Sequence, residues 1–231
     1  MFQESTKLHI PSDETIIWKY LDLSKFLDLL LSKRMFMSRS DKFEDQYEGT
    51  FSEPTYQEIK KLLEDNPEYL DAYKSKRKNI VISSWHANSY ESYAMWQVFT
   101  KNNEGLAIQS TIGRLKKALI EPKADQYIGE VNYIDYKKEH IPFDDDFFPF
   151  LFKRKSFQYE HEVRVITDVS HLDMNVNEGV KVLIDINEMV DKLYIHPKSE
   201  NWYKKLVIEI VERLGFNFTI EHSDLESDIL I

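Results

Sequence analysis

The sequence has no cysteine, only six glycines and no long apolar run, and these absences exclude several classes of protein. Without cysteine, disulfides, thiolate metal sites and a cysteine nucleophile are excluded. No segment approaches the roughly 20 apolar residues of a membrane-spanning helix, and the first ten residues contain no apolar signal core. We therefore expect a soluble, cytoplasmic protein that does not contact a membrane.

The chain is also short of positive charge. Its 30 Lys and Arg residues against 40 Asp and Glu residues give a net charge of −10. Because nucleic-acid binding depends mainly on basic groups that neutralise phosphates, this balance does not favour a nucleic-acid partner. Two basic runs, 74–78 and 153–155, leave a local phosphate-binding groove open as an alternative to solvated helix ends. The composition indicates no particular protein partner.

Short strand patterns interleave with helical patterns along the whole chain. No glycine-rich phosphate loop follows a strand, so a Rossmann or P-loop site has no support, and no repeat period is visible. We predict an α+β fold with a mixed, mainly antiparallel sheet and flanking helices. A polar lead-in over residues 1–14 is expected to precede a single domain over residues 15–231.

Several element boundaries follow from the local patterns. "YIGEVNYIDY" alternates like one continuous strand. The segment 199–215 has the spacing of an amphipathic helix, with a serine cap at its start and Gly215 just beyond its end. Further strands are expected at Ile16–Tyr20, Met35–Ser38, Asn79–Trp85 and Glu160–Asp168.

The stretch "FKRKSFQYEHEVRVI", residues 152–166, concentrates charge in a strand-like segment. Strand alternation would place Glu160, Glu162 and Arg164 on one face. In a cleft, a glutamate there can hold a ribose hydroxyl and stabilise a developing oxocarbenium ion, while Arg164 keeps it ionised. The alternative is a solvent-facing Glu–Arg pair that contributes little to stability.

Two other short motifs could contact a ligand. In "WKY", Lys19 or Tyr20 could meet the base or phosphate of a nucleotide, or the segment could be core aromatics with a snorkelling lysine. In "SSWH", Ser84 and Trp85 stand at a strand end, where open sheets bind ligands. A nucleophilic serine would need a base that an acid orients, and the adjacency of His86 in sequence does not establish one.

Oxygen-rich and histidine patterns give little support for a metal site. The loop "SDKFEDQYEG" contains Asp41, Glu44, Asp45 and Glu48, but its spacing is not that of an EF-hand. The seven histidines show no HxxxH or HxH spacing. We assign no metal ligands, although a metal-dependent nuclease that uses Asp45, Glu48, Glu160 and Glu162 is kept as a third functional hypothesis.

Several of these motifs, in this order, resemble the bacterial domain-of-unknown-function family 2971. They are "WKYLDLSKFLDLLLSKRMFMSRSDKFEDQYEG", "ISSWHANSYESYAMWQVF", Lys153 followed by Phe157 and "YEHEVR", and "KVLIDINEMVDKLYIHP". The resemblance covers about residues 16–225. It departs from the family at Glu44-Asp45-Gln46, Phe99 and Phe157. The family name implies no reaction, but its members resemble genes for phage defence.

A second, weaker resemblance is to ADP-ribosyltransferases that modify nucleic acid. It implies a nucleotide-processing enzyme of a bacterial defence or effector type that uses NAD. Glu162 is then the first candidate for the catalytic acid, Glu160 is the second, and Arg164 orients it. The resemblance also implies ligand-binding roles for Lys19, Tyr20, Ser38 and Arg39. We add Ser84, Trp85 and Lys153 as candidate ligand-binding residues, with Trp85 stacking on a base or on nicotinamide. The rival hypothesis is a non-catalytic module that binds a small ligand or a protein.

Overall fold

The computed structural model of the protein describes residues 1–100, 102–172 and 176–226. The helices are α1 Leu23–Ser32, α2 Glu53–Asp65, α3 Pro67–Asn79, α4 Tyr93–Phe99, α5 Ile112–Ala118, α6 Ile186–Met189 and α7 Asn201–Arg213. The strands are β1 Ile16–Asp22, β2 Arg34–Arg39, β3 Ile80–Ala87, β4 Gly105–Thr111, β5 Tyr127–Glu130, β6 Asn132–Ile134, β7 Phe152–Arg154, β8 Glu162–Asp168, β9 Gly179–Leu183, β10 Lys192–Ile195 and β11 Thr219–His222. By their internal contacts these residues group into two compact units.

The first unit comprises Met1–Pro11, Phe36–Ser84 and Glu121–Val182. In it, β2 and β5 pair antiparallel with β3 and β8 respectively, β8 also pairs with β3, and β6 and β7 form a parallel pair. Its core holds apolar side chains from strands and from the 3-10 turn Phe148–Leu151, among them Ile80, Phe150 and Ile166. The strand β8 is buried on both faces, which places its polar side chains in the interior.

The second unit comprises Ser12–Met35, Trp85–Ile120 and Leu183–Ile231. Along its whole length β1 pairs antiparallel with β4, which pairs antiparallel with β10, and β11 adds in parallel to β10. An aromatic core that includes Trp18, Tyr20 and Trp96 packs against β4. The helix α7 begins near its predicted start, and Gly215 lies beyond its end with φ +80°, a backbone conformation that favours glycine.

The predicted α+β class with a mixed, mainly antiparallel sheet and flanking helices is confirmed. Three local predictions were wrong. Ser199 does not cap α7, because the N-cap residue is Glu200 and the Ser199 hydroxyl donates to the carbonyl of His196. "YIGEVNYIDY" is not one strand, because its first part, β5, pairs with β8, whereas its second part, β6, pairs with β7 in a separate two-stranded sheet. The strand expected from Glu160 begins at Glu162. None of the described helices combines the length and apolar character needed to cross a membrane.

Candidate functional site

A buried lysine in β7 forms the centre of the candidate site in the first unit. Lys153 is the middle residue of this short strand, and its side chain points inward while those of its neighbours are partly exposed. A 3-10 turn, Lys155–Glu160, follows it. His161 then adopts φ 38°, a left-handed conformation that is uncommon for a residue other than glycine. This kink leads the chain into β8 and leaves Glu160 and Glu162 both facing the lysine.

Three carboxylates surround the ammonium group of Lys153. Its Nζ donates to Glu160 Oε2 at 2.5 Å and to Glu162 Oε1 at 2.8 Å. It also lies 3.2 Å from Glu48 Oε1. An ammonium group has three donors and no acceptor, so two of its donors are used by Glu160 and Glu162, and Glu48 adds an ion pair.

Arg164 of β8 completes the cluster from the other side. Its side chain is 1% exposed, and it donates from Nε to Glu162 Oε2 at 2.9 Å and from Nη1 to the carbonyl of Phe150 at 2.7 Å. Its Nη2 donates to Glu48. A buried guanidinium is tolerated only when its charge is paired and its donors are satisfied, and both conditions hold here. We call Glu48, Lys153, Glu160, Glu162 and Arg164 the charged cluster.

The charges of this cluster explain why its two neighbouring glutamates behave differently. Glu48 and Glu162 balance Lys153 and Arg164, so Glu160 is a fifth, surplus group. Burial, a hydrogen bond to Glu162 and repulsion from it raise the pKa of Glu160 to about 7. Burial alone would also raise the pKa of Glu162, but Arg164, the hydrogen bond with Glu160 and the charge of Lys153 hold it well below its usual range. One carboxyl therefore titrates near neutrality beside one that stays ionised.

A tyrosine links the surplus carboxyl to the surface. Burial and the neighbouring Glu160, to which it is hydrogen-bonded, raise the pKa of Tyr159. Tyr159 is 45% exposed, whereas Glu160 is 6% exposed. The hydroxyl of Tyr133 accepts a hydrogen bond from the N–H of Glu162 at 2.8 Å and holds the start of β8 in place.

The acidic residues of the nuclease hypothesis bind basic side chains in this structure. Lys153 and Arg164 contact Glu48, Glu160 and Glu162, and Arg154 contacts Asp45. Within residues 1–100, 102–172 and 176–226, no group of three or more His, Asp or Glu residues could hold a metal ion.

The predicted site residues divide between the two units. Lys153, Glu160, Glu162 and Arg164 come together in the first unit, as described above. Ser38, Arg39 and Ser84 belong to the same unit. Arg39 is bound to both oxygens of Asp41, at 2.8 and 2.6 Å, and to the carbonyl of Val176 at 2.7 Å.

The remaining predicted residues, Lys19, Tyr20 and Trp85, belong to the second unit. The Nζ of Lys19 lies 5.3 Å from the ring centroid of Trp85, which is 1% exposed. The hydroxyl of Tyr20 accepts a hydrogen bond from the N–H of Ser92 at 2.8 Å. Tyr20 and Trp85 are buried, whereas Lys19 is partly exposed, and the ligand-binding roles of all three stay predictions.

Sequence reasoning gave no central role to Glu48, and none to Tyr133. Glu48 appeared only as one acid of a loop and of the nuclease hypothesis, more than 100 positions before its partner Arg164. The next residue, Gly49, was the local sequence feature that marked an unusual backbone beside Glu48. It adopts φ +67° and lies close to Phe150. Nothing in the local pattern around Tyr133 marks its hydrogen bond to β8.

Comparison with known proteins gives few matches. No family model matches the chain, and no curated protein matches it. Two similar solved structures are Thermus sp. 2.9 DarT in complex with NAD+ and the same protein in complex with ADP-ribosylated ssDNA. The first has a TM-score of 0.43 and 8% identity over 91% of this chain and 96% of DarT. The second has a TM-score of 0.44 and 7% identity over 94% and 97%.

Proposed function

We propose that this chain is a nucleotide-processing enzyme of the ADP-ribosyltransferase type, with NAD as its substrate and Glu160 as its catalytic acid–base. The observation behind the proposal is the buried pair Glu160–Glu162, whose carboxylates both accept from Nζ of Lys153, at 2.5 and 2.8 Å, while Arg164 binds Glu162. This arrangement raises the pKa of Glu160 to about 7 and holds the pKa of Glu162 well below its usual range. Neighbouring carboxyls with such different pKa values are typical of acid–base sites. The choice of NAD, and a bacterial defence or effector role, rest on the sequence resemblance alone.

The proposed step is a substitution at the anomeric carbon of the nicotinamide ribose. The C1′–N1 bond breaks, and its electron pair leaves with neutral nicotinamide. An oxygen or nitrogen of the acceptor forms the new bond to C1′, and its proton passes to the ionised carboxylate of Glu160. A carboxyl with a pKa of about 7 suits this role, because a substantial fraction is ionised at neutral pH and it still has useful basicity.

The other members of the charged cluster would keep Glu160 ready for this role. Glu162 is fixed by Arg164 and Lys153, so it supplies a constant negative charge beside Glu160. That charge can also stabilise the oxocarbenium character that develops at C1′ when nicotinamide leaves. This proposal reverses the order expected from the sequence, since Glu160 takes the acid–base role and Glu162 becomes the electrostatic partner.

The proposal is tested by incubating the purified chain with NAD and measuring released nicotinamide, with water as the default acceptor. Glu160→Gln preserves the size and the neutral charge of the protonated side chain, so the fold should persist while turnover falls at least about 100-fold. Glu139→Gln is the matched control, because it changes an exposed glutamate of the same unit that pairs with Lys155. It should leave turnover unchanged.

Either of two results would contradict the proposal: no release of nicotinamide by the folded wild type, or equal release by wild type and Glu160→Gln. Turnover should also rise with pH through about 7, because only the ionised Glu160 can accept a proton. A flat profile between pH 6 and 8 would exclude Glu160 as the base.

A non-catalytic binding module is the second candidate, and one observation favours it. Glu162 is held in a buried pair with Arg164, and Glu48 contacts both Arg164 and Lys153. A network of this kind can have a purely structural role, which is to fix the position of the loop that carries Glu48. In that case NAD would not be turned over, and Glu160→Gln would change only the stability of the fold.

A further inference from the structure

Next to the charged cluster, Arg154 lies at the surface in an orientation that a buried carboxylate fixes. Its side chain is 41% exposed, whereas that of Asp45 is 1% exposed. Asp45 accepts from Nε of Arg154 at 3.0 Å and lies 2.9 Å from its Nη2, a paired contact that defines the plane of the guanidinium. In the described parts of the chain, Nη1 has no hydrogen-bond partner. A pre-oriented cationic donor is therefore available to an anion.

Two aromatic rings flank this guanidinium. The ring centroid of Tyr47 lies 4.7 Å from Arg154 Cζ, and that of Phe157 lies 5.4 Å from it. Contacts of this kind hold a guanidinium against an aromatic ring. Tyr47 is 46% exposed, so part of its ring is accessible to a planar group from solution.

The same surface is connected to the candidate catalytic group. The ring of Phe157 also lies 4.7 Å from Lys153 Nζ, which donates to Glu160. Lys153 and Arg154 are neighbours in β7, so their side chains point in opposite directions. Lys153 reaches the buried carboxylates and Arg154 reaches the surface, and both cationic groups contact the ring of Phe157.

We propose that Arg154 and Tyr47 form the nucleotide-docking surface of this site. Nη1 of Arg154 binds a phosphate oxygen, and the ring of Tyr47 stacks against the base. This inference rests on the proposed function and adds two binding residues to it. In a chain with a net charge of −10, a phosphate needs a local cation to bind. Tyr47 replaces Trp85 in the stacking role, because Trp85 is 1% exposed.

The test is a calorimetric titration of the full chain with NAD and with ADP, all in the Glu160→Gln background so that no turnover occurs. ADP contains the base and phosphates but no nicotinamide, so its affinity measures binding to the docking surface alone. Adding Arg154→Ala should weaken the affinity for both ligands at least about tenfold, and adding Tyr47→Leu should weaken it by about five- to tenfold. Lys155→Ala is the control, since it removes the adjacent exposed cation, and it should change affinity less than about twofold.

Arg154→Lys guards against a folding defect, because it keeps the charge beside the buried Asp45 and loses only the planar fork. It should bind both ligands more weakly than the parent while unfolding at a similar temperature. If NAD and ADP bind the Arg154 and Tyr47 variants as tightly as the parent, the docking surface is wrong and the proposed function stands. If neither ligand binds even the Glu160→Gln parent, both the docking surface and the proposed function are overturned.

Discussion

The charged cluster of the first unit and the aromatic core of the second unit solve the burial of polar groups in different ways. In the second unit, the short segment between β3 and α4 provides hydrogen-bond partners for the polar atoms of three aromatic side chains. Asn88 accepts from Trp18 through its carbonyl, Glu91 accepts from Trp96 through its carboxylate, and the N–H of Ser92 donates to Tyr20. These aromatics are neutral, and their partners come from five consecutive residues.

The charged cluster depends instead on charges from three separate segments of the chain. Glu48 comes from a loop, Lys153 from β7 and Arg164 from β8, and each is nearly buried. When a chain folds, replacing hydrogen bonds to water by neutral hydrogen bonds within the protein changes the free energy little. Buried charges, in contrast, must be balanced almost completely by opposite charges. Because Glu160 remains as a surplus acid, the first unit has a group that can gain and lose a proton, which makes it the better candidate for chemistry.

The largest difference between the two regions should appear when a charge is removed. Arg164→Met keeps much of the buried volume but leaves Glu48 and Glu162 facing a single lysine, and it should destabilise the fold by about 3–5 kcal/mol. Arg213→Met, on the exposed end of α7, loses only a surface pair with Glu209 and should cost at most about 0.5 kcal/mol. Urea denaturation of both variants measures the comparison. Similar midpoints for the two would mean that the cluster contributes no more than a surface ion pair.

The second effect is a pH dependence that Glu160 should give to stability. Its pKa of about 7 in the fold lies above its ordinary value of 4.5, so the folded chain binds more protons than the unfolded chain between these values. Stability contributed by this group is therefore full below pH 4.5 and is lost as the pH rises to 7, by at most about 3 kcal/mol.

Glu160→Gln removes this dependence and so isolates it. The variant should match the wild type near pH 5 and be more stable than the wild type at pH 8, because glutamine cannot acquire the surplus charge. Urea midpoints at pH 5, 6, 7 and 8 give the comparison, with the exposed Glu209→Gln as a control that should follow the wild type. A constant offset between wild type and Glu160→Gln across these pH values would contradict the surplus-charge account.

Two glycines allow the backbone of the two regions to be compared. Gly49 follows Glu48 with φ +67°, and a Cβ there would lie 2.6 Å from the ring of the buried Phe150. Gly215 has φ +80°, but no atom lies within 4 Å of its Cβ position. Gly49→Ala adds steric overlap to backbone strain and should cost at least about 2 kcal/mol, whereas Gly215→Ala should cost about 1 kcal/mol. Equal losses of thermal stability would show that the Glu48 loop shifts easily.

Sequence patterns predicted the parts of this molecule that local forces determine. Helical spacing and a terminal glycine located α7, and strand alternation located β1 and most of β8. The stretch 152–166 also contains four members of the charged cluster, which were predicted together because they lie within twelve positions of one another. The candidate catalytic residues were thus found through their closeness in the chain.

Long-range contacts and unusual backbone conformations could not be predicted in the same way. Glu48 joins the cluster only through the fold, and the left-handed turn at His161 shifts Glu160 out of β8 with no glycine to signal it. Sequence reasoning also grouped Tyr20, of the second compact unit, with Glu160, of the first, and their shared role in ligand binding stays a prediction. Residue type alone does not distinguish an aromatic that binds a ligand from one that fills a core.

The smallest predicted effect tests that last distinction. Tyr20→Phe removes the hydroxyl that accepts from Ser92 N–H and leaves the ring contact with Trp96, 5.0 Å between centroids, in place. Loss of one neutral hydrogen bond in a partly buried position should cost about 1 kcal/mol, independent of salt because neither group is charged. Tyr93→Phe, at a 52% exposed position on α4, is the control and should have no measurable effect. If Tyr20→Phe left stability unchanged but weakened NAD binding, Tyr20 would be a ligand-binding residue, and the contrast between a charged working region and a neutral aromatic core would fail.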